Sequence, residues 1–312
     1  MHNPTAKLGR LFGATALFST FVATAAQAAQ PTDWQIWHQT PGSSGMEDIL
    51  SFSWLTLYVI VPITLFVMGL LAYVVVKFSA KANPTPSKVT HNTTIEVIWT
   101  VGPILVLLIL AIPSFKLLES QFNPPEEPSI TIKATGYQWY WNYEYQGEQE
   151  VSFDSRPIGS EEIAGSKEAA LKERTDLGKT DLKVYPNLLA VDNEVVVPVG
   201  KVVRVLVTAG DVIHNWAMPA FGKKMDGYPG RLNETFFQPL REGIYYGQCS
   251  ELCGKYHAFM PIGVRVVSQE QYDAWLARAA EDVGAANQEL KASIELQNDK
   301  IKVADNKAQS ND

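Results

Sequence analysis

Near the C-terminal end, Cys249-Ser-Glu-Leu-Cys253-Gly-Lys-Tyr-His257-Ala-Phe-Met260 gathers two thiols, an imidazole and a thioether into one stretch. A further imidazole, His214, stands upstream in Asp211-Val-Ile-His214-Asn-Trp. Sulfur and imidazole are soft ligands, and His and Cys with a weak Met define a mononuclear copper electron-transfer site. A second Cys in the same loop exceeds what one ion needs and points to a binuclear copper centre. Two other readings stay open on these residues alone. A Cys pair in an exported chain commonly forms a disulfide. Zinc takes closed tetrahedral sets of Cys and His, although it has little use for a thioether. Clustering favours copper: of five His and two Cys in the chain, two His and both Cys fall in these two segments.

The segments that must carry such a site begin with membrane elements. Lys7 and Arg10 precede an apolar, small-residue run from Leu11 to Ala26, and Ala26-Gln27-Ala28 resembles a signal-peptidase site. Residues 1–29 therefore read as an export signal, with an uncleaved first helix as the alternative. Residues 30–48 form a short outer segment. Ile49–Val76 and Val97–Phe115 contain no charged residue, and each is long enough to cross a hydrocarbon core of about 30 Å. The expected spans are residues 49–78 and 95–118, forming a transmembrane helical hairpin. Their internal prolines (Pro62, Pro103 and Pro113) are tolerated where neighbouring helices satisfy the freed carbonyls. The loop over residues 79–94 carries Lys81 and Lys88, follows Lys77, and has no acid before Glu96, whereas Asp33, Glu47 and Asp48 precede the first span. By the positive-inside rule the loop is cytoplasmic and both flanks lie outside.

Residues 119–268 then make one extracytoplasmic domain, entered through the stiff linker Asn123-Pro-Pro-Glu-Glu-Pro128. Short β-branched and aromatic runs follow at 129–135, 137–145, 195–199, 202–208, 231–238, 243–247 and 262–267. They are separated by Gly, Pro, Asp and Asn, the pattern of a small all-β sandwich. The aromatics Tyr137, Trp139, Tyr140, Trp141, Tyr143 and Tyr145 suit a strand packed on both faces. Residues 156–183 shift to Glu, Lys, Ala and Gly and read as an inserted surface excursion with a short helix at Glu168–Arg174. The tail, 269–312, starts helical and becomes polar enough to be partly disordered. His214 is expected on a loop after the 202–208 run, and the Cys249–Met260 loop joins two strands. Ligands on loops of a rigid scaffold suit electron transfer, because the metal geometry then changes little between oxidation states. No phosphate loop, nucleotide fingerprint or catalytic triad is present, and nothing indicates nucleic-acid binding.

Three stretches carry a specific resemblance. Gln248-Cys-Ser-Glu-Leu-Cys-Gly-Lys-Tyr-His-Ala-Phe-Met-Pro261, Gly136-Tyr-Gln-Trp-Tyr-Trp-Asn-Tyr-Glu-Tyr145 and Pro229-Gly-Arg-Leu-Asn233 are similar to subunit II of the cytochrome c oxidases of the haem–copper family. The likeness spans roughly residues 45–268. The insertion, the tail and the signal look like a bacterial, alphaproteobacterial-type version. It implies a Greek-key cupredoxin domain with the binuclear CuA centre: Cys249 and Cys253 bridging two copper ions, His214 and His257 each capping one, and Met260 and the Glu251 carbonyl as weak axial ligands. The Glu251 carboxylate would reach a Mg2+ shared with subunit I, where it is otherwise a solvated loop acid.

The resemblance also implies that electrons enter from cytochrome c at Trp139, and that Glu144, Asp192 and Asp211 contribute to a negative docking patch. A formal net charge of -7 is compatible with steering a basic partner. Glu96, at the start of the second span, corresponds to a position near a proton-uptake channel of subunit I; its plainer reading is an interfacial acid. The implied role is electron entry in a bacterial inner-membrane oxidase whose subunit I passes electrons from haem to O2 and pumps protons. A metal-free quinol-oxidase form disagrees with the Cys and His set, and a nitrous oxide reductase disagrees with the two spans.

Overall fold

The computed structural model describes residues 31–32 and 34–309, so the export signal expected over 1–29 lies outside the described residues. Two long helices, α1 (Ser44–Lys77) and α2 (Thr93–Phe122), form a hairpin. Both are apolar enough to cross a membrane, and their large side chains face outward, where lipid or protein must cover them. Helix α1 starts at Ser44 rather than near Ile49, because Ser43 Oγ caps it by accepting from the Met46 N–H at 3.1 Å. At the start of α2, Asn92 Oδ1 accepts from Ile95 N–H, and Glu96 Oε1 accepts from Asn92 N–H at 3.0 Å. Glu96 thus closes a helix cap in the first turn of α2.

The hairpin is fastened to the domain beyond it. Gly42 N–H donates to Ala220 O, Leu240 N–H donates to Gly42 O, and the buried Ser43 hydroxyl donates to Phe221 O at 2.8 Å. At the other helix, Lys223 Nζ donates to Gln121 Oε1. These bonds join both membrane helices to one end of the sandwich.

That sandwich has ten strands: β1 (Ile130–Tyr137), β2 (Tyr140–Gln146), β3 (Val151–Ser155), β4 (Val195–Pro198), β5 (Val203–Ala209), β6 (His214–Met218), β7 (Lys223–Gly227), β8 (Asn233–Phe237), β9 (Gly243–Cys249) and β10 (Pro261–Val267). They make two five-stranded sheets, ordered β3-β2-β1-β5-β8 and β4-β10-β9-β6-β7. Strand β5 alternates, burying Val203, Val205 and Val207 and turning Arg204 and Thr208 outward. Strand β2 does the same, so Trp141, Tyr143 and Tyr145 point inward and the aromatic run is packed chiefly on one face. With Trp216, Met218, Ile262 and Val264 they fill the space between the sheets. Each such side chain contributes about 1.5–3 kcal/mol when fully buried.

Three strands have no counterpart in the sequence reading. Strand β6 is buried at all five residues and so shows no alternation. Strand β7, Lys-Lys-Met-Asp-Gly, is polar, and β3 is short. Strand β6 also moves His214 from the expected loop to the first residue of a strand.

Two further stretches gain detail. The stretch 156–183 has the short helix expected at Glu168–Arg174, as α4 (Lys167–Asp176), preceded by α3 (Glu161–Ala164), and the buried Arg174 fixes them. Its guanidinium donates to the carbonyls of Tyr185 at 2.9 Å and Lys179 at 3.2 Å and to Asn187 Oδ1 at 3.1 Å. Gly159, at φ +69°, is needed there, because a Cβ would lie 1.8 Å from Arg174 Nε. Residues 269–309 of the tail are largely helical. Helix α5 (Gln269–Ala279) opens with a Ser268–Gln271 capping box, and α6 (Val283–Gln309) packs on it. Tyr272 and Trp275 are buried against the sandwich, the Trp275 ring 5.4 Å from that of Tyr145.

Candidate metal centre

The site sits where β6 begins and β9 ends, at one end of the second sheet. Pairing of Trp216 with Cys249 places His214 beside the start of the Cys loop. Cys249 and Cys253 are both buried and both free. Their Sγ atoms are 3.9 Å apart, far beyond the roughly 2.05 Å of a disulfide. His214 Nδ1 is 3.9 Å from Cys249 Sγ, and His257 Nδ1 is 3.5 Å from Cys253 Sγ. Met260 Sδ lies 3.4 Å from Cys253 Sγ, and the Glu251 carbonyl oxygen 3.3 Å from Cys249 Sγ. Among the described residues, His214, Cys249 and Cys253 are the group whose ligand atoms all fall within 4.8 Å of one another. His257, Met260 and the Glu251 carbonyl adjoin it.

Supporting residues aim these donors. Asp211 Oδ1 accepts from His214 Nε2 at 2.8 Å, which leaves Nδ1 as the lone pair facing Cys249. Gly136 lets β1 lie on the imidazole, since a Cβ there would come 2.8 Å from the ring. The hairpin from β1 to β2 then brings Gln138 and Trp139 over the Cys loop.

Burial raises the Cys249 thiol, but hydrogen bonding to His214 and to the Asn215 and Glu251 backbone brings it down to about 7. Burial and the neighbouring Cys249 charge push Cys253 up to about 12. The two thiols thus titrate as a coupled pair, the second harder to ionise than the first. Burial lowers the His214 imidazole, yet its bonds to Cys249 and Asp211 leave it raised overall. Burial likewise raises Asp211, and bonds from His214, Val212 and Gln138 hold it below the usual carboxylate range.

This donor set fits copper. A closed zinc site uses four ligands of the Cys and His type, which leaves Met260 and the Glu251 carbonyl without a purpose. Glu251, the acid expected at a Mg2+, is exposed.

The remaining candidates are scattered. Trp139 is half-buried, its ring edge-on to Tyr256 at 4.9 Å. The inserted residues Glu162 and Ile163 line a shallow pocket beside it, a neighbourhood that no sequence signal announced. Glu144 pairs with Lys133 at 2.8 Å. Asp192 Oδ1 accepts from the Arg156 and Asn193 amides at 2.7 Å. Asp211 faces His214. Glu96 lies at the start of α2, remote in the chain from the site. Sequence reasoning missed Gly136 and Gln138 as supports; their position beside the aromatic run was the available signal.

Comparison with known proteins shows what the chain is similar to. The sequence profile described as "Cytochrome C oxidase subunit II, periplasmic domain" matches residues 130–267, and the transmembrane-domain profile of the same subunit matches residues 31–117. A probable cytochrome c oxidase subunit 2 of Rickettsia conorii is 44% identical over 274 residues, covering 88% of this chain and 81% of that one. The cytochrome c oxidase subunit 2 of Cereibacter sphaeroides is 43% identical over 287 residues, covering 89% and 93%. A crystal structure of the periplasmic domain of cytochrome oxidase subunit II from Bradyrhizobium japonicum is 46% identical, covers 51% of this chain and 98% of that one, and superposes with a TM-score of 0.42. The chain, two membrane helices followed by a periplasmic β-sandwich with a Cys and His cluster at one end, belongs to the cytochrome c oxidase subunit II family.

Proposed function

We propose that this subunit is the electron-entry module of its oxidase, taking electrons from cytochrome c and handing them to haem a of subunit I. The observation that carries the reading is the convergence of two free thiols, two imidazoles and a thioether at one end of a rigid sandwich. Cys249, Cys253, His214, His257, Met260 and the Glu251 carbonyl would together hold a binuclear CuA centre. When bound, copper supplies one-electron exchange.

The chain's own residues do the rest. Strands β6 and β9 hold His214 and Cys249 in fixed relation, so few atoms move when charge changes. Burial of both thiols and Met260 excludes water. Asp211 orients His214. Trp139 offers a half-exposed indole next to the Cys loop for docking. Glu144, Asp192 and Asp211 are assigned to a negative docking patch, with Glu144 weakest because Lys133 neutralises it.

Exposed Val212, Ile213, Leu232 and Leu252 lie on the loops at the same end of the domain. Apolar surface of this kind favours a protein partner there, and subunit I is the one assigned. A Mg2+ at Glu251 needs oxygen ligands from that partner. Glu96 is assigned to the mouth of a proton-uptake path in subunit I, in addition to its helix cap. Reduction of O2 to water and proton pumping belong to subunit I, in the bacterial inner membrane.

Replacing Cys253 by Ser in the assembled oxidase is expected to abolish the visible and near-infrared copper bands and to stop cytochrome c oxidation. Unchanged turnover with cytochrome c refutes the assignment.

A further inference from the structure

Gln138 occupies the turn between β1 and β2, immediately before Trp139, and it reaches the ligand residues in two directions. Its backbone N–H donates to Asp211 Oδ2 at 2.7 Å. The other oxygen of that carboxylate accepts from His214 Nε2 at 2.8 Å and from Val212 N–H at 2.6 Å. The side-chain Nε2 of Gln138 donates to the Cys253 carbonyl at 2.7 Å. Three segments distant in sequence therefore meet on one residue. Any residue but proline could make the backbone bond. The side-chain bond needs a donor of this length.

The surroundings show why that bond matters. Gly254 has φ +126°, and a Cβ there would lie 3.0 Å from both Gln138 Nε2 and Trp139 Cζ2. The Cys253–Gly254 peptide is thus pressed against the Gln138–Trp139 segment, and the amide hydrogen bond selects its orientation. Rotation of that peptide would displace Cys253 Sγ from His257 Nδ1 and Met260 Sδ, its neighbours at 3.5 and 3.4 Å. Gln138 is itself an exposed residue. A free side chain of this kind would sample many rotamers, so the inward-turned amide is bought by the contact it makes.

We propose that Gln138 is a positioning residue for the ligand set. Its side-chain amide fixes the Cys253 peptide and its backbone N–H fixes Asp211, so both halves of the site are referenced to the segment carrying Trp139. The proposal rests on the copper reading only for its purpose; the positioning itself is a property of the polypeptide.

The test uses the full chain in detergent, with Q138L, which removes the donor, and Q138K, which keeps one at similar reach. In reduced, copper-free protein, alkylation of Cys253 by iodoacetamide is followed by mass spectrometry. Q138L is expected to react about fivefold faster, the equivalent of losing one hydrogen bond of about 1 kcal/mol. Q138K is expected to restore the slow rate. After copper loading, Q138L shifts the absorption bands and the copper hyperfine splitting, and Q138K keeps them. Should Q138L fail to fold, Q138N, one methylene shorter, takes its place with the same expectation. Equal alkylation rates in wild type and Q138L overturn the proposal. A fast Q138L without rescue by Q138K assigns the effect to packing and overturns it too. Faster alkylation in Q138L, with no copper bound by any variant, upholds the positioning and refutes the copper reading.

Discussion

Two polar clusters are buried in this domain, and they are built on opposite principles. Beside the insertion, Lys179 Nζ meets Glu194 Oε1 at 2.6 Å, Arg265 meets Glu194 Oε2 at 3.0 Å, and Lys179 also donates to the Val191 and Asp192 carbonyls. The two cations there share the Glu194 carboxylate between them. At the other cluster, two thiols face each other with imidazole and thioether donors around them, and among the described residues no Lys or Arg is paired with either thiol. The first arrangement holds the insertion to the sandwich. The second gathers soft donors of the kind that would hold a soft cation. Pairing of opposite charges therefore separates a structural network from a ligand site more sharply than burial does.

The comparison breaks first at Glu194. E194Q strands Lys179 and Arg265 without a counter-charge, a loss of about 3–5 kcal/mol at neutral pH. Thermal and denaturant unfolding would measure it, and the copper spectrum of the folded variant should stay as in wild type. A changed spectrum would mean that the two clusters are not independent.

The pH dependence follows from the same residue. Burial raises the Glu194 carboxyl, but Arg265 and then Lys179 outweigh it and leave it below the ordinary carboxylate value. A depressed carboxyl contributes stability that is present above its unfolded pKa of about 4.3 and is lost as pH falls through the lower folded value. Unfolding curves of wild type and E194Q should therefore converge in acid.

The next effect is expected at the metal end and in rate rather than stability. W139A removes the docking indole, and cytochrome c oxidation by the assembled enzyme should fall about thirtyfold, as for a hot-spot truncation near 2 kcal/mol. Its copper spectrum and melting temperature should change little. A lost copper signal would instead make Trp139 part of the ligand scaffold. The smallest effect is expected for E144Q, whose partly exposed pair with Lys133 is worth under about 1 kcal/mol.

The membrane hairpin and the clustering of Cys249, Cys253, His257 and Met260 were legible because each is written locally, as an uncharged run or within one loop. Strands with alternation, such as β5, were legible for the same reason. What escaped was written in tertiary contacts. Strand β6 is buried on both faces and β7 is polar, so neither shows a period of two. Arg174 and Lys179 read as surface charges until their partners are seen. Trp275 lies in a polar helix, yet its ring packs on Tyr145 and its Nε1 donates to Asn287 Oδ1 at 2.9 Å. A soluble fragment ending at Val267 would lose that core, so a fragment for metal studies should extend through α6. Asp211 shows the same limit: its carboxylate also accepts from the buried His214 imidazole, a contact that the sequence does not display.

The central claim is that Cys249 and Cys253 share a pair of soft metal ions. Copper quantification with electron paramagnetic resonance on the purified chain tests it most directly. Two copper ions per chain, with one unpaired electron coupled to two equivalent nuclei, is the predicted result. One ion or none, or a hyperfine pattern from a single nucleus, would contradict it.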